Sequence, residues 1–169
     1  MRVVIFGASG MLGQGVLREC LRASDVEQVV TIVRVPSGAS DPKLVELVHT
    51  DLLDYRAIES TLSGLDACYF CLGVSSAGLD EAQYTRITYD IALAAARTLA
   101  RLNPQMTFIY VSGQGTDATE QGRIMWARVK GATEDALLNL PFAHVFCFRP
   151  GYIQPLNGIR SKVGWYNAI

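Results

Sequence analysis

The chain has 169 residues, half of them hydrophobic and 18% charged, with a net charge of −1. That is enough for one globular domain with its own core, and interspersed charge excludes the basic patch of a nucleic-acid binder. The strongly apolar helical stretch near 91–96 is too short to span a bilayer, and no signal peptide precedes the first strand, so the expectation is a soluble, cytoplasmic protein.

In chain order the first element is an apolar run, Arg2–Phe6, that ends in Gly7, Gly10 and Gly13, spaced G-x-x-G-x-x-G. An amphipathic segment, Met11–Arg22, follows. Strand, glycine loop and helix make a phosphate site: glycines let the backbone turn sharply and let a pyrophosphate approach, and the free N–H groups and positive dipole end of the helix face the anion. Ser9, Met11 and Leu12 belong to this loop and first turn. Further strand-like runs occupy Gln28–Val33, 44–49, 67–72, 107–112 and His144–Phe148. Most are continuous apolar runs, as expected of a parallel sheet covered on both faces.

Helical patterns separate most of these strands. A short one follows Asp54, a candidate N-cap, and stops at Ser63 and Gly64. A long one places Tyr84, Ile87, Ile91, Ala94, Thr98 and Leu102 on one face and ends at Asn103-Pro104. The last carries Met125, Val129, Ala132 and Leu137 and stops before Pro141. Alternating strands and helices imply right-handed crossovers and a doubly wound Rossmann fold of strand order 3-2-1-4-5-6. All of 1–169 reads as one dinucleotide-binding domain, with 150–169 opening a C-terminal substrate-side segment that is short or truncated.

Cys68 and Cys71 form a C-x-x-C, but positions i and i+3 on a strand point to opposite faces and no second ligand pair exists. Core cysteines are the better reading, and no metal site is expected. Cys20 and Cys147 fall on apolar faces, which fits a reducing compartment.

Arg34 ends the second strand where an acidic side chain would bond an NAD ribose. An arginine instead accommodates a 2′-phosphate, so NADP is favoured over NAD, against the simpler reading of a loop arginine. Asp51 follows the third strand, where it either meets the adenine amino group, with Leu52 packing nearby, or caps a helix. Gly73 ends the fourth strand and lets the backbone pass close to a ribose.

These positions, together with Ser112, Lys130 and the Arg149-Pro150-Gly151 run, resemble the short-chain dehydrogenase/reductase superfamily. The closest likeness is to its extended and atypical branch, which includes NmrA-like proteins and epimerase/dehydratase-like proteins. The resemblance implies a catalytic serine at Ser112 that orients a substrate carbonyl, and a lysine at Lys130 that holds the nicotinamide ribose and lowers the pKa of a tyrosine one turn earlier. Here Trp126 occupies that tyrosine position. An indole N–H donates a hydrogen bond but has no lone pair to take a proton and is no general acid, so the usual acid is missing. Trp126 is then either a stacking platform or a helix residue packed under a loop. Tyr84, Tyr89, Tyr110, Tyr152 or a water held by Ser112 are the other proton sources. Thr88 stands about where extended members often carry asparagine.

Loops 74–79 and 113–117, closed by 150–157, would form the substrate pocket. His144, at the far end of its strand, reads as structural. Three readings follow: an NADP-dependent oxidoreductase acting on a small carbonyl compound, a non-catalytic NADP(H)-sensing protein, and a nucleotide-sugar epimerase or dehydratase relative. The small residues at 92–100 suit helix pairing into a homodimer.

Overall fold

In a computed structural model, which describes residues 1–156, 158 and 159, six parallel strands form one sheet in the order β3-β2-β1-β4-β5-β6. They are β1 (Arg2–Phe6), β2 (Gln28–Val33), β3 (Leu44–Val48), β4 (Ala67–Phe70), β5 (Thr107–Val111) and β6 (His144–Phe148). Register is tight: Val4 lies between Val30 and Cys68, and Phe108 between Cys68 and Val145. Because all six run the same way, their carboxyl ends share one edge, which is where the glycine loop lies. Asn157 and residues 160–169 fall outside the described part, and with them most of the tail anticipated after the sixth strand.

Helix α1 (Met11–Arg22) covers one face over β1, β2 and β4, enclosing Val3, Ile5, Cys20, Val29 and Ala67. On the other face lie α2 (Glu81–Thr85), α3 (Ile91–Leu102) and α4 (Met125–Leu138). Phe6, Phe70 and Phe108 form a row across that face, with ring centroids 5.3 and 6.1 Å apart, and Phe142 extends it at 5.1 Å. Each such side chain, fully buried, contributes about 1.5–3 kcal/mol.

Two sequence expectations change here. The pattern after Asp54 forms only a 3-10 turn, Arg56–Ile58, because Asp54 Oδ1 accepts the Arg56 N–H at 3.0 Å and also holds its guanidinium, favouring a turn over a helix start. The long helix from Glu81 to Leu102 is interrupted by a π-helical turn, Arg86–Asp90. One wider turn shifts the helix face. The buried side after Tyr84 is therefore Thr88, Ala92, Leu93, Ala95, Ala96, Leu99 and Ala100, while the anticipated Ile87, Ile91, Ala94, Thr98 and Leu102 are only half-buried.

Coverage of the sheet is also less even than the apolar runs imply. On the edge strand β6, Phe146 and Phe148 are 52% and 59% exposed, since no described element covers that side of it. Of the paired thiols, Cys68 is buried among the aromatic row, whereas Cys71, expected on the same strand, lies beyond the end of β4 and is half-buried. Burial raises both, Cys71 to about 12. Among the described residues no cluster of side chains could hold a metal ion, and no helix is long and apolar enough to cross a membrane.

Candidate functional site

The glycine loop is built by contact. Gly7 has a φ of +78°, and a Cβ there would stand 2.7 Å from the Leu72 nitrogen, so β1 and β4 leave their common edge too close for any side chain. A Cβ at Gly13 would sit 2.1 Å from the Gly7 carbonyl oxygen, which fixes how near α1 comes to the loop. Gly10 precedes α1 in an extended conformation, without a side-chain cap, and the first turn holds no acidic residue. The Gly10 N–H bonds the Gly7 carbonyl at 2.9 Å, while the amide groups of Met11, Leu12 and Gly13 have no helical acceptor behind them. Ser9 is exposed beside them, its carbonyl taking the Gln14 amide at 3.1 Å. This donor set fits an anionic pyrophosphate.

Arg34 stands exposed just past β2, with no hydrogen bond or ion pair to any described residue. Asp51 is exposed after β3; its Oδ1 accepts the Leu53 N–H at 3.0 Å, so it does cap the local turn, and Leu52 packs partly into the core. Gly73, past β4, has nothing within 4 Å of where a Cβ would lie, which leaves that space open.

At the end of β5, Ser112 is buried and its Oγ is 2.9 Å from Thr116 Oγ1. Thr116 gives its one hydroxyl proton to the Gly113 carbonyl at 2.7 Å, so Ser112 is the donor in that contact. The loop continues onto α4: the Asp117 N–H bonds the Ala127 carbonyl at 3.0 Å, and its own carbonyl lies 1.8 Å from where a Cβ at Gly131 would be. The Asp117 carboxylate accepts from Thr119 and Gly122, which holds its pKa below the usual carboxylate range. The ring of Trp126 lies under the same loop, 3.7 Å and 3.5 Å from Cβ positions built at Gly113 and Gly115.

Lys130, one turn further along α4, points back at β5. Its Nζ lies 3.3 Å from the Val111 carbonyl and 5.2 Å from the centre of the Tyr110 ring. Burial pushes the ammonium down to about 8, with Glu134 opposing. Glu134 is itself 4% exposed and accepts from Arg149 Nε at 3.0 and 3.1 Å, with Arg149 Nη2 on Oε2 as well. Sequence reading quoted Arg149 but missed Glu134; the i, i+4 spacing to Lys130 was the available signal. The Tyr110 hydroxyl, near Thr133, is buried without a hydrogen-bond partner of ordinary geometry, and burial raises both it and Tyr84.

The structure therefore brings the glycine loop, Gly73, Ser112 and Lys130 to one sheet edge, with Arg34 and Asp51 at the β2–β3 end of it. The exit of β6 does not close over loop 74–79 as anticipated in full. Pro150 accepts the Gln114 N–H at 3.0 Å, and residues 153–156 then run over α1, where with Met11, Leu12, Val16 and Tyr69 they line an open apolar cavity of about 400 Å³. His144 is exposed and stacks on Phe146.

The profile of a family described as NAD(P)H-binding matches residues 7–137. The chain belongs to this NAD(P)H-binding family. Among its relatives, the Saccharomyces cerevisiae protein FMP52, mitochondrial, is 30% identical over 96% of this chain and 68% of its own length. The Aspergillus terreus protein fmp52-1, mitochondrial, is 31% identical over 90% of this chain and 66% of its own. Solved structures share the fold: the Bordetella bronchiseptica enzyme WbmH in complex with NAD+ superposes with a TM-score of 0.70 at 18% identity, over 89% of this chain and 55% of that one. UDP-glucose 4-epimerase from Thermotoga maritima does so with a TM-score of 0.67 at 13% identity, over 88% and 55%. The chain thus spans about half the length of those enzymes. The relatives' names overturn the cytoplasmic expectation, because they are mitochondrial proteins and neither composition nor hydropathy carries that address.

Proposed function

We propose that this NAD(P)H-binding domain is an atypical reductase, using NADP(H) and acting on a small carbonyl compound. The observation that carries the reading is the uncapped N-terminus of α1 facing the same sheet edge as Ser112 and Lys130. When bound, the dinucleotide supplies a hydride. The chain's own residues do the rest: Met11, Leu12 and Gly13 amides hold the pyrophosphate, and Gly7, Ser9 and Gly10 let it approach. Arg34, exposed and unpaired, takes the 2′-phosphate, which favours NADP over NAD. Asp51 and Leu52 flank the adenine, Gly73 leaves room for a ribose, Lys130 holds the nicotinamide ribose and Ser112 orients the substrate. The relatives' names favour a mitochondrial setting.

A non-catalytic NADP(H) sensor is the second reading, favoured by Trp126, whose ring fills the tyrosine position and packs under the 113–115 loop. The epimerase or dehydratase reading has weaker support, since it requires that tyrosine. Calorimetric titration of NADPH and NADH into wild type and Arg34→Ala tests the proposal. Expected is a preference for NADPH that falls about tenfold or more in the variant, the scale of one lost charge-assisted contact. Equal affinity for both dinucleotides would end the NADP assignment, and no binding of either would end the reductase reading.

A further inference from the structure

A reductase of this kind needs a proton at the substrate oxygen, and the described residues narrow its source. The indole N–H of Trp126 is far too weak an acid. Ser112 directs its proton to Thr116, whose own proton goes to the Gly113 carbonyl. Tyr84 and Tyr110 are 2% and 1% exposed, and burial raises both phenols, which weakens them as acids. His49 is bound through Nε2 to the Asp54 carbonyl, past β3. Lys130 remains. Its ammonium has three donors, yet its close contacts are one carbonyl at 3.3 Å and the face of the Tyr110 ring. Glu134, one turn on, would clamp it as an ordinary i, i+4 ion pair, but both carboxylate oxygens are occupied by Arg149.

We propose that Lys130 is the acid that protonates the substrate oxygen, and that the Glu134–Arg149 pair keeps it free to do so. The inference rests on the reductase reading. As hydride adds to the carbonyl carbon, the C=O π pair moves to oxygen. An O–H bond forms there as a Lys130 N–H bond breaks, leaving a neutral amine that solvent reprotonates. The titratable groups that face Lys130 are Tyr110 from β5 and Glu134 from its own helix; Tyr84 from α2 and Cys147 from β6 lie by Tyr110, and Arg149 lies on Glu134. At neutral pH the two phenols and the thiol are uncharged and Arg149 offsets Glu134. Burial then prevails, and the ammonium sits at about 8, close enough to working pH to give up a proton.

The chain has three lysines, Lys43, Lys130 and Lys162, so side-chain NMR of lysine-labelled protein reads Lys130 directly. The signal lost in Lys130→Arg is expected to titrate near pH 8. It should move up by about one unit or more in Arg149→Met, which unmasks Glu134, and down in Glu134→Gln. In NADPH-dependent reduction of phenanthrenequinone, the rate is expected to fall about tenfold per pH unit above that midpoint. Lys130→Arg keeps a cation that cannot give up its proton, so at saturating NADPH it should lose about 100-fold in rate. An ordinary lysine titration, or wild-type turnover in Lys130→Arg, overturns this proposal alone. A wild type that neither binds nor oxidises NADPH overturns the reductase reading and this proposal together.

Discussion

At position 130 burial and charge oppose each other, and the balance has a measurable cost. An unfolded lysine keeps its proton to about 10.5, whereas in the folded chain Lys130 releases it at about 8. Between those values the unfolded state binds more protons, so rising pH favours folding, and below pH 8 the full penalty is present. Lys130→Met should therefore be more stable than wild type at pH 7 by about 1–3 kcal/mol, an advantage that shrinks between pH 8 and 10. Cys71 and Cys147, raised to about 12 and 11, act in the opposite sense above pH 9, because their thiols ionise first in the unfolded chain. Denaturant midpoints of both proteins across this range, compared at each pH, cancel the thiols. A pH-independent difference would show that Lys130 is not desolvated. The position of this lysine could be read from its spacing to Ser112 and Trp126, but its ionisation could not, since that depends on Tyr110, Glu134 and Arg149 meeting around it.

Among the elements, the glycine loop and the β5–α4 connection are shaped by contacts that tolerate no side chain. Gly13→Ala would drive a methyl group into the Gly7 carbonyl at 2.1 Å and should cost about 3 kcal/mol or more, with loss of dinucleotide binding. Gly10→Ala meets its nearest neighbour at 3.3 Å in an extended backbone that any residue adopts, and should cost under about 1 kcal/mol. Guanidinium unfolding of the two variants checks this, and equal losses would mean the loop is not held by the Gly7–Gly13 contact. The same reasoning applies to Gly131, where the Asp117 carbonyl leaves no room for a methyl. The first glycine cluster was legible because its spacing between an apolar run and an amphipathic one is local. Gly131 was not, because its need for glycine arises from a loop more than ten residues earlier. The helix from Glu81 to Leu102 teaches a similar lesson: a 3.6-residue period finds it, but the π turn at Arg86–Asp90 moves its buried face to Thr88, Ala92 and Ala96.

On the scale of the whole molecule, the sheet is asymmetric. Helices α2–α4 cover one face, while on the other α1 covers β1, β2 and β4 and the described residues leave Phe146 and Phe148 open on β6. Exposed aromatic surface of this kind binds apolar dyes. Replacing both phenylalanines with serine should lower the fluorescence of bound anilinonaphthalene sulfonate at least twofold with little change in stability, because neither side chain is in the core. An unchanged signal would place the dye elsewhere, the cavity beside α1 being the alternative.

The sequence by itself determined the parallel sheet and its strand order, through continuous apolar runs alternating with amphipathic ones, and it singled out the glycine loop, Arg34, Ser112 and Lys130 as candidates. Those signals are short-range: a periodicity, a glycine spacing, a residue at a strand's end. Only the tertiary structure decided that Asp54 makes a turn, that Ser112 donates to Thr116, that Trp126 packs under a loop and that Arg149 occupies Glu134. Each of these depends on which distant group arrives within about 3–4 Å, and hydrogen bonds and packing act at that range alone.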